Sequence, residues 1–400
     1  MSAGRPCIGR LAPSPTGLLH LGNAWSFFLA WLSARCEGGR IFLRMEDIDP
    51  DRSRQEWIDG IIRDLRWLGL DWDEFDAGAS HGGCGRGDGG RGHATWAPGA
   101  EDAGETQGVR GVFSTGATQA GMAPQRQSAE GAESGGNSGD GQAGPFRQSE
   151  RGAYYARMLG RLQVEGRIYP CFCTRKELRE LAGAPHGAAD GLGDAGAAYP
   201  GTCRNLSAQE REARLSAGRH ASLRLRCPDG EAGRQRFCDL VLGPQSMTIT
   251  QCGGDFVLRR SDGVWAYQLA VVCDDIAMGV TQVVRGEDIL FSTPRQLFLY
   301  QCFGAQAPEH AHIPLLCDAG GERLAKRHKS LSLDALRQRG CRPERIIGWL
   351  AWRAGLQEEP EPAHPAGLAE RLRSMGRFPW GRLPQSPVLV PGEMELLRAF

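Results

Sequence analysis

The 400 residues carry 47 basic and 47 acidic side chains, a formal charge of zero at pH 7, and 41% of them are apolar. That much apolar sequence can bury cores for two or three domains, while the balanced charge excludes a basic overall field as the means of attracting nucleic acid. No apolar run approaches the ~20 residues that span a bilayer and "MSAGRPCIGR" lacks a secretory apolar core, so a soluble cytoplasmic protein with neither a membrane nor DNA as partner is expected.

In chain order, Ile8 to Ala12 reads as a short strand, residues 23 to 36 as an apolar helix ended by Gly38 and Gly39, and "RIFLRME" as a second strand. This is a βαβ unit and sets the fold class as α/β. Between strand and helix lies "APSPTGLLHLGNA". A Pro/Gly turn ahead of a helix N-terminus is an anion site, because its first backbone N–H groups are unpaired and the helix dipole is positive there. Gly22 lets a ligand approach the backbone, and His20 can donate to a phosphate oxygen. Taken alone, the same residues describe a tight turn with a surface histidine.

Ser53 and Glu56 have capping-box spacing and announce the next helix, on which Trp57, Ile61, Leu65 and Leu68 recur at helical intervals. Residues 77–144 hold 20 glycines and almost no periodic apolar pattern, which reads as a disordered insertion. Regular sequence resumes with a helix, a strand and another helix in "PFRQSERGAYYARMLGRLQVEGRIYPCFCTRKELREL". A second Gly/Ala-rich loop covers residues 183–198. Strands are expected around residues 221–226 and 237–260, followed by the apolar "WAYQLAVVCDD", the turn-rich "RGEDILFSTPRQ" and the loop "GGERLAKRHKS" leading into the last helices. The stretch "EEPEPAHPAG" reads as a proline-rich linker.

Thirteen cysteines is an odd number in a chain too large to need disulfide staples, so most are expected as free buried thiols. The exception is the group Cys171, Cys173 and Cys203. A close pair of soft ligands with a third across a loop suits tetrahedral zinc, with Tyr199, His186 or water as the fourth ligand. Only Lys176, Lys326 and Lys329 of the basic residues are lysine. Two of these sit three residues apart in "RLAKRHKS", where a compact ammonium on a flexible stem suits mobile contact with pyrophosphate.

The two loop motifs, "HLGN" and "RLAKR", resemble the HIGH and KMSKS signatures of class I aminoacyl-tRNA synthetases. With "GRLAPSPTGLLHLGNA", "RMEDIDP", "AYQLAVVCDD" and "VVRGEDIL" in this order, the chain resembles the glutamyl-tRNA synthetase family over roughly residues 7–76, 145–182 and 199–335. It departs from the pattern at Asn23, which replaces the second histidine of HIGH, and at Arg323 and Ala325, which replace the first lysine and the serine of KMSKS.

The resemblance implies a Rossmann-like catalytic domain in two halves, residues 1–76 and 261–335. Between them it implies the insertion at 77–144 and a connecting subdomain with the zinc site at 145–260, and after them a short helical region at 336–400. It places ATP at His20, Gly22, Asn23 and Lys326, with His20 and Lys326 catalytic. It places glutamate at Arg10, Ala12, Ser14, Glu46, Tyr267 and Arg285. Either Arg285 or Arg10 could pair the substrate's side-chain carboxylate, and Glu46 suits its α-ammonium. Read singly, Glu46 and Asp47 could instead cap a turn, and Arg285 could pair with Glu287 or Asp288. The resemblance also favours Tyr199 as fourth ligand to one structural zinc, and it implies magnesium with the ATP.

Seventy residues follow Ser330, too few for the helical anticodon-binding domains of the ordinary enzyme. A catalytic half alone resembles the truncated branch of the family that attaches activated glutamate to the queuosine base of tRNA(Asp). The expected partner is then the anticodon stem-loop of that tRNA, gripped by shape and stacking. A shortened enzyme charging tRNA(Glu), and a catalytically silent RNA-binding module, are the alternatives.

Overall fold

The computed structural model describes residues 5–75, 146–174, 176–178, 199–318, 320–324 and 331–390. They all fall within one compact unit, Met1–Phe75 with Ala143–Phe400. The insertion at 77–144, the loop at 183–198 with His186, and Lys326 lie outside the described residues.

The chain begins with strand β1 (Ile8–Leu11), helix α1 (Leu21–Cys36), strand β2 (Arg40–Met45) and helix α2 (Gln55–Trp67). Helix α1 is apolar nearly all round, from Leu21 through Trp25, Phe28, Leu32 and Cys36, and a helix of that kind must be buried. It is covered on one side by β1 and the later strand Gln282–Gly286 and on the other by the chain's last helices. The turn after it is tight enough that a Cβ on Gly39 would lie 2.2 Å from the Cys7 carbonyl oxygen, so only glycine fits. Helix α2 starts one residue later than the capping box places it. Arg54 is its N-cap and makes no side-chain cap, because Ser53 is drawn into the preceding turn by its N–H to the Asp49 carbonyl, 3.0 Å. Ile58, rather than Trp57, leads its buried face, with Ile61 and Leu65.

Strand β3 (Phe146–Arg147) pairs in parallel with the end of β2, Arg44 opposite Phe146. The two flanks of the insertion therefore meet, and the rings of Phe75 and Phe146 touch edge to face with centroids 5.3 Å apart. Helix α3 (Gly152–Val164), strand β4 (Ile168–Cys171), helix α4 (Ala208–Ser216), and strands β5 (Ser222–Leu225), β6 (Arg234–Asp239), β7 (Gly243–Thr248) and β8 (Val257–Arg259) follow. Strands β4, β5 and β8 form a small antiparallel sheet, whose residue Leu225 shares a core with Tyr155 and Leu162 of α3.

Helix α5 (Tyr267–Met278) ends on Gly279 at φ 64°, a left-handed cap that only glycine adopts freely. Strand β9 (Gln282–Gly286), helix α6 (Thr293–Cys302), strand β10 (Glu309–Ile313) and strand β11 (Leu316–Cys317) complete the parallel half. Strand order is β7-β6-β10-β9 in one sheet and β1-β2-β3 in the other. Strand β9 lies along β1, where Thr281 N–H donates to the Ile8 carbonyl at 2.9 Å. The chain thus leaves β1 outward to β2 on one side and returns as β9 on the other. That reversal is the switch point at which open α/β sheets bind ligands beyond the carboxyl ends of their strands.

Helices α7 (Leu333–Gln338), α8 (Pro343–Arg353) and α9 (Pro365–Arg373), and strand β12 (Val388–Leu389) beside β11, close the fold. The proline-rich stretch expected as a linker is packed instead. Ala363 N–H donates to the Glu344 carbonyl at 2.9 Å, and a Cβ on Gly348 of α8 would lie 1.9 Å from the Glu361 carbonyl oxygen. Prolines stiffen this strap, and Gly348 lets it lie flush on the helix. None of the helices among the described residues is long and apolar enough to cross a membrane.

Candidate functional site

A cavity of about 510 Å³ opens at the switch point. Each sequence-assigned residue of the two substrate sites that is described lines it: Arg10, Ala12, Ser14, His20, Gly22, Asn23, Glu46, Tyr267 and Arg285. Arg10 comes from the end of β1, Glu46 from the residue after β2, Tyr267 from the start of α5 and Arg285 from β9.

His20 is the N-cap of α1. Asn23 N–H donates to the His20 carbonyl at 2.9 Å, and Asn23 Oδ1 accepts from His20 N–H at 3.0 Å. Asn23 thus supplies the reciprocal half of a capping box, a structural task that a short amide performs. Gly22 keeps the wall open: a Cβ there would lie 3.0 Å from the His20 ring and 3.8 Å from the Leu324 Cβ. The same contacts bring the two signature loops together, since His20 also forms an antiparallel bridge with Ser332, just after the second loop. At that loop's near end Arg323 pairs with Asp288 and bridges to Cys317. Asp288 is therefore engaged by Arg323 and not by Arg285.

Charge is distributed unevenly around the cavity. Arg44, missed at the sequence level, is buried in β2 and donates to Asp275 at 2.5 Å and to Glu46 at 3.1 Å. Burial pulls the Arg44 guanidinium down, but the adjoining Asp275 and Glu46 outweigh it and hold it well above its ordinary value. Burial raises the Glu46 carboxyl, opposed by Arg44 and Arg10. Arg10 is lowered by burial; it donates to the Val284 carbonyl at 3.1 Å and stands 3.9 Å from Asp275. Asp47 does not cap a local turn. It accepts from Ser149 N–H at 2.9 Å, Ser149 Oγ at 2.8 Å and Arg147 Nε at 3.0 Å, tying the two flanks of the insertion together.

Arg285 is the exception among these buried cations. Its nitrogens donate to neutral groups, Gln296 Oε1 at 2.7 Å, Thr293 Oγ1 at 2.6 Å and His312 Nε2 at 3.1 Å, and among the described residues it has no carboxylate partner. His312, Thr293 and Gln296 escaped sequence reasoning. The available signal was "HAHIP", where two histidines two apart on a strand share a face.

The second cluster lies at the end of β4. The sulfurs of Cys171, Cys173 and Cys203 all lie within 4.8 Å of one another, Cys173 and Cys203 at 3.6 Å. The Tyr199 hydroxyl stands 3.4 Å from the Cys171 sulfur and accepts from Cys203 N–H at 2.8 Å. Thiolates about 2.3 Å from a tetrahedral zinc are ~3.8 Å apart, so this donor set fits that ion. The other cysteines among the described residues are free thiols, most of them buried.

Residues 7–83 and 130–363 match the family model of the class I tRNA synthetases (E and Q), catalytic domain. The chain is 47% identical over 386 residues to the Glutamyl-Q tRNA(Asp) synthetase of Nitratidesulfovibrio vulgaris, covering 96% of each chain. It is 43% identical over 386 residues to that of Symbiobacterium thermophilum, again over 96% of each. In fold it is similar to a glutamate tRNA ligase from Elizabethkingia meningosepticum in complex with its amino acid, with TM-score 0.65 and 23% identity, over 97% of this chain and 68% of that one.

Proposed function

The chain belongs to the class I tRNA synthetases of the glutamate and glutamine branch, and within that family we propose that it activates glutamate with ATP and transfers the glutamyl group to the queuosine base of tRNA(Asp). It is an enzyme of the ligase type. Among the cavity's lining residues three arginines, Arg10, Arg285 and Arg323, face two carboxylates, Glu46 and Asp288. Glutamate brings two carboxylates and one ammonium, and so one net negative charge; glutamine brings none. The observation that carries the reading is Arg285, a buried guanidinium presented to the cavity with neutral partners. It takes the side-chain carboxylate by charge-assisted hydrogen bonds. Glu46 takes the α-ammonium, and Tyr267 and Arg10 complete the wall.

An oxygen of the α-carboxylate attacks the α-phosphorus of ATP, an acyl-phosphate bond forms, and pyrophosphate leaves. The protein's part is alignment and charge. The N-terminus of α1 with His20 receives phosphate oxygens where Gly22 leaves the backbone open. Lys326 follows Arg323 and Leu324 along the loop and meets the departing pyrophosphate. A cyclopentenediol hydroxyl of queuosine then attacks the acyl carbon and AMP leaves. Magnesium travels with the ATP. The relatives named Glutamyl-Q tRNA(Asp) synthetase, matched over nearly their whole length, support tRNA(Asp) as acceptor; the part gripped is its anticodon stem-loop, in the cytoplasm.

Cys171, Cys173, Tyr199 and Cys203 would hold one zinc through four protein ligands, and its contribution would be structural. Glutamate-dependent pyrophosphate exchange tests the amino-acid assignment. Exchange is expected with glutamate at rates at least a hundredfold above those with glutamine, because the amide leaves the Arg285 charge unpaired. Equal exchange with both would overturn it.

A further inference from the structure

The geometry points to Asp239 and His312 as positioning residues that orient the Arg285 guanidinium without neutralising it. The inference rests on the assignment of Arg285 to a substrate carboxylate. Strand register builds the relay: in β10, His310 stands opposite Asp239 of β6, and His312 stands opposite Arg285 of β9. Asp239 Oδ2 lies 2.6 Å from His312 Nδ1, and both side chains are fully buried. Asp239 Oδ1 is itself held, accepting from the backbone N–H of Val241 and Leu242 at 3.0 Å and of His312 at 3.1 Å.

A carboxylate at Nδ1 requires the proton there, so Nε2 presents its lone pair. That lone pair accepts from Arg285 Nε at 3.1 Å and from the Thr293 hydroxyl at 3.0 Å. Burial keeps the imidazole neutral, with Arg285 opposing protonation further and Asp239 favouring it. His310, stacked on it with centroids 5.9 Å apart, is likewise held neutral by burial.

The arrangement solves a specific problem. A carboxylate placed directly on Arg285 would orient it but would also cancel the charge the substrate needs. A neutral acceptor orients it and leaves the charge intact. A guanidinium has five N–H groups. Three are committed to His312, Gln296 and Thr293, which leaves one N–H on each terminal nitrogen for a carboxylate in the cavity.

Asp239→Asn tests this. The amide oxygen can keep the three backbone N–H contacts, and the amide nitrogen then donates to Nδ1, which drives the proton to Nε2. A donor there confronts the Arg285 Nε–H. The expected result is a KM for glutamate raised tenfold or more in pyrophosphate exchange, with kcat and the KM for ATP within about twofold. Nitrogen NMR of His312 should show an Nδ1 proton in the native protein and an Nε2 proton in the variant. His312→Gln, whose amide oxygen can accept from Arg285, should retain glutamate affinity better than His312→Leu.

A merely structural role would lower the melting temperature and move all three kinetic constants together, and that pattern would overturn the relay. An unchanged glutamate KM in Asp239→Asn, or equal KM values for the two His312 variants, would do the same. The tautomer is read without substrate. Failure of the native protein to exchange with glutamate would therefore overturn the substrate assignment while leaving the relay standing. An Nε2 proton in the native protein would overturn the relay while leaving the assignment standing.

Discussion

Arg10, Glu46, Tyr267 and Arg285 come from four segments far apart in the chain and line one cavity; in the sequence they were singled out through the resemblance of their motifs to a known family. What that signal cannot convey is who partners whom. Arg44 looks like one more surface residue in "RIFLRM" until the strand is seen to be buried, where Arg44 must take Asp275 and Glu46 as counter-charges. His312 is similar, since its role depends on two neighbouring strands. It also makes acid sensitivity predictable. Burial holds His312 down at about 4, against roughly 6.5 in an unfolded chain. Between these values the unfolded state takes up a proton that the native state refuses, so stability is lost as the pH falls from 6.5 towards 4. At roughly 1.4 kcal/mol per pH unit the loss is on the order of 3 kcal/mol. Denaturant unfolding between pH 7 and pH 4.5 should show a steeper decline in the native protein than in His312→Asn; parallel declines would remove His312 as the cause.

The elements themselves followed from periodicity and punctuation, and the misreadings mark where tertiary contacts took over. The Ser53 cap was lost to a competing turn, and the proline-rich linker became a strap on α8 because Gly348 leaves room for its backbone. At the cysteine cluster the close pair was visible in the sequence, whereas the approach of Cys203 and Tyr199 depends on how the loop returns. Three sulfurs within 4.8 Å of one another, with a phenol beside them, have the spacing that one zinc's ligands would need. Cys173→Ser should lower zinc content below one equivalent and lower the melting temperature. It should also weaken transfer to RNA more than pyrophosphate exchange, because the cluster lies apart in the chain from His20 and Lys326. Full zinc content and an unchanged melting temperature would show ordinary thiols.

On the scale of the molecule, the described residues form one body whose cavity sits where the chain reverses across its parallel sheet. That position was inferable from a βαβ unit with a Pro/Gly turn; the adjacency of β9 to β1, which supplies Arg285, was not, because some 270 residues separate them. The chain matches relatives named Glutamyl-Q tRNA(Asp) synthetase over 96% of their length. The reading to test is that the glutamyl group goes to a base in the anticodon loop. The measurement is transfer of labelled glutamate to tRNA(Asp) trimmed of its terminal adenosine, prepared with and without queuosine. Label is expected on the queuosine-containing tRNA(Asp) at the level of the untrimmed tRNA and none on its queuosine-free counterpart. Label on intact tRNA(Glu) alone, lost when its terminal adenosine is removed, would contradict it.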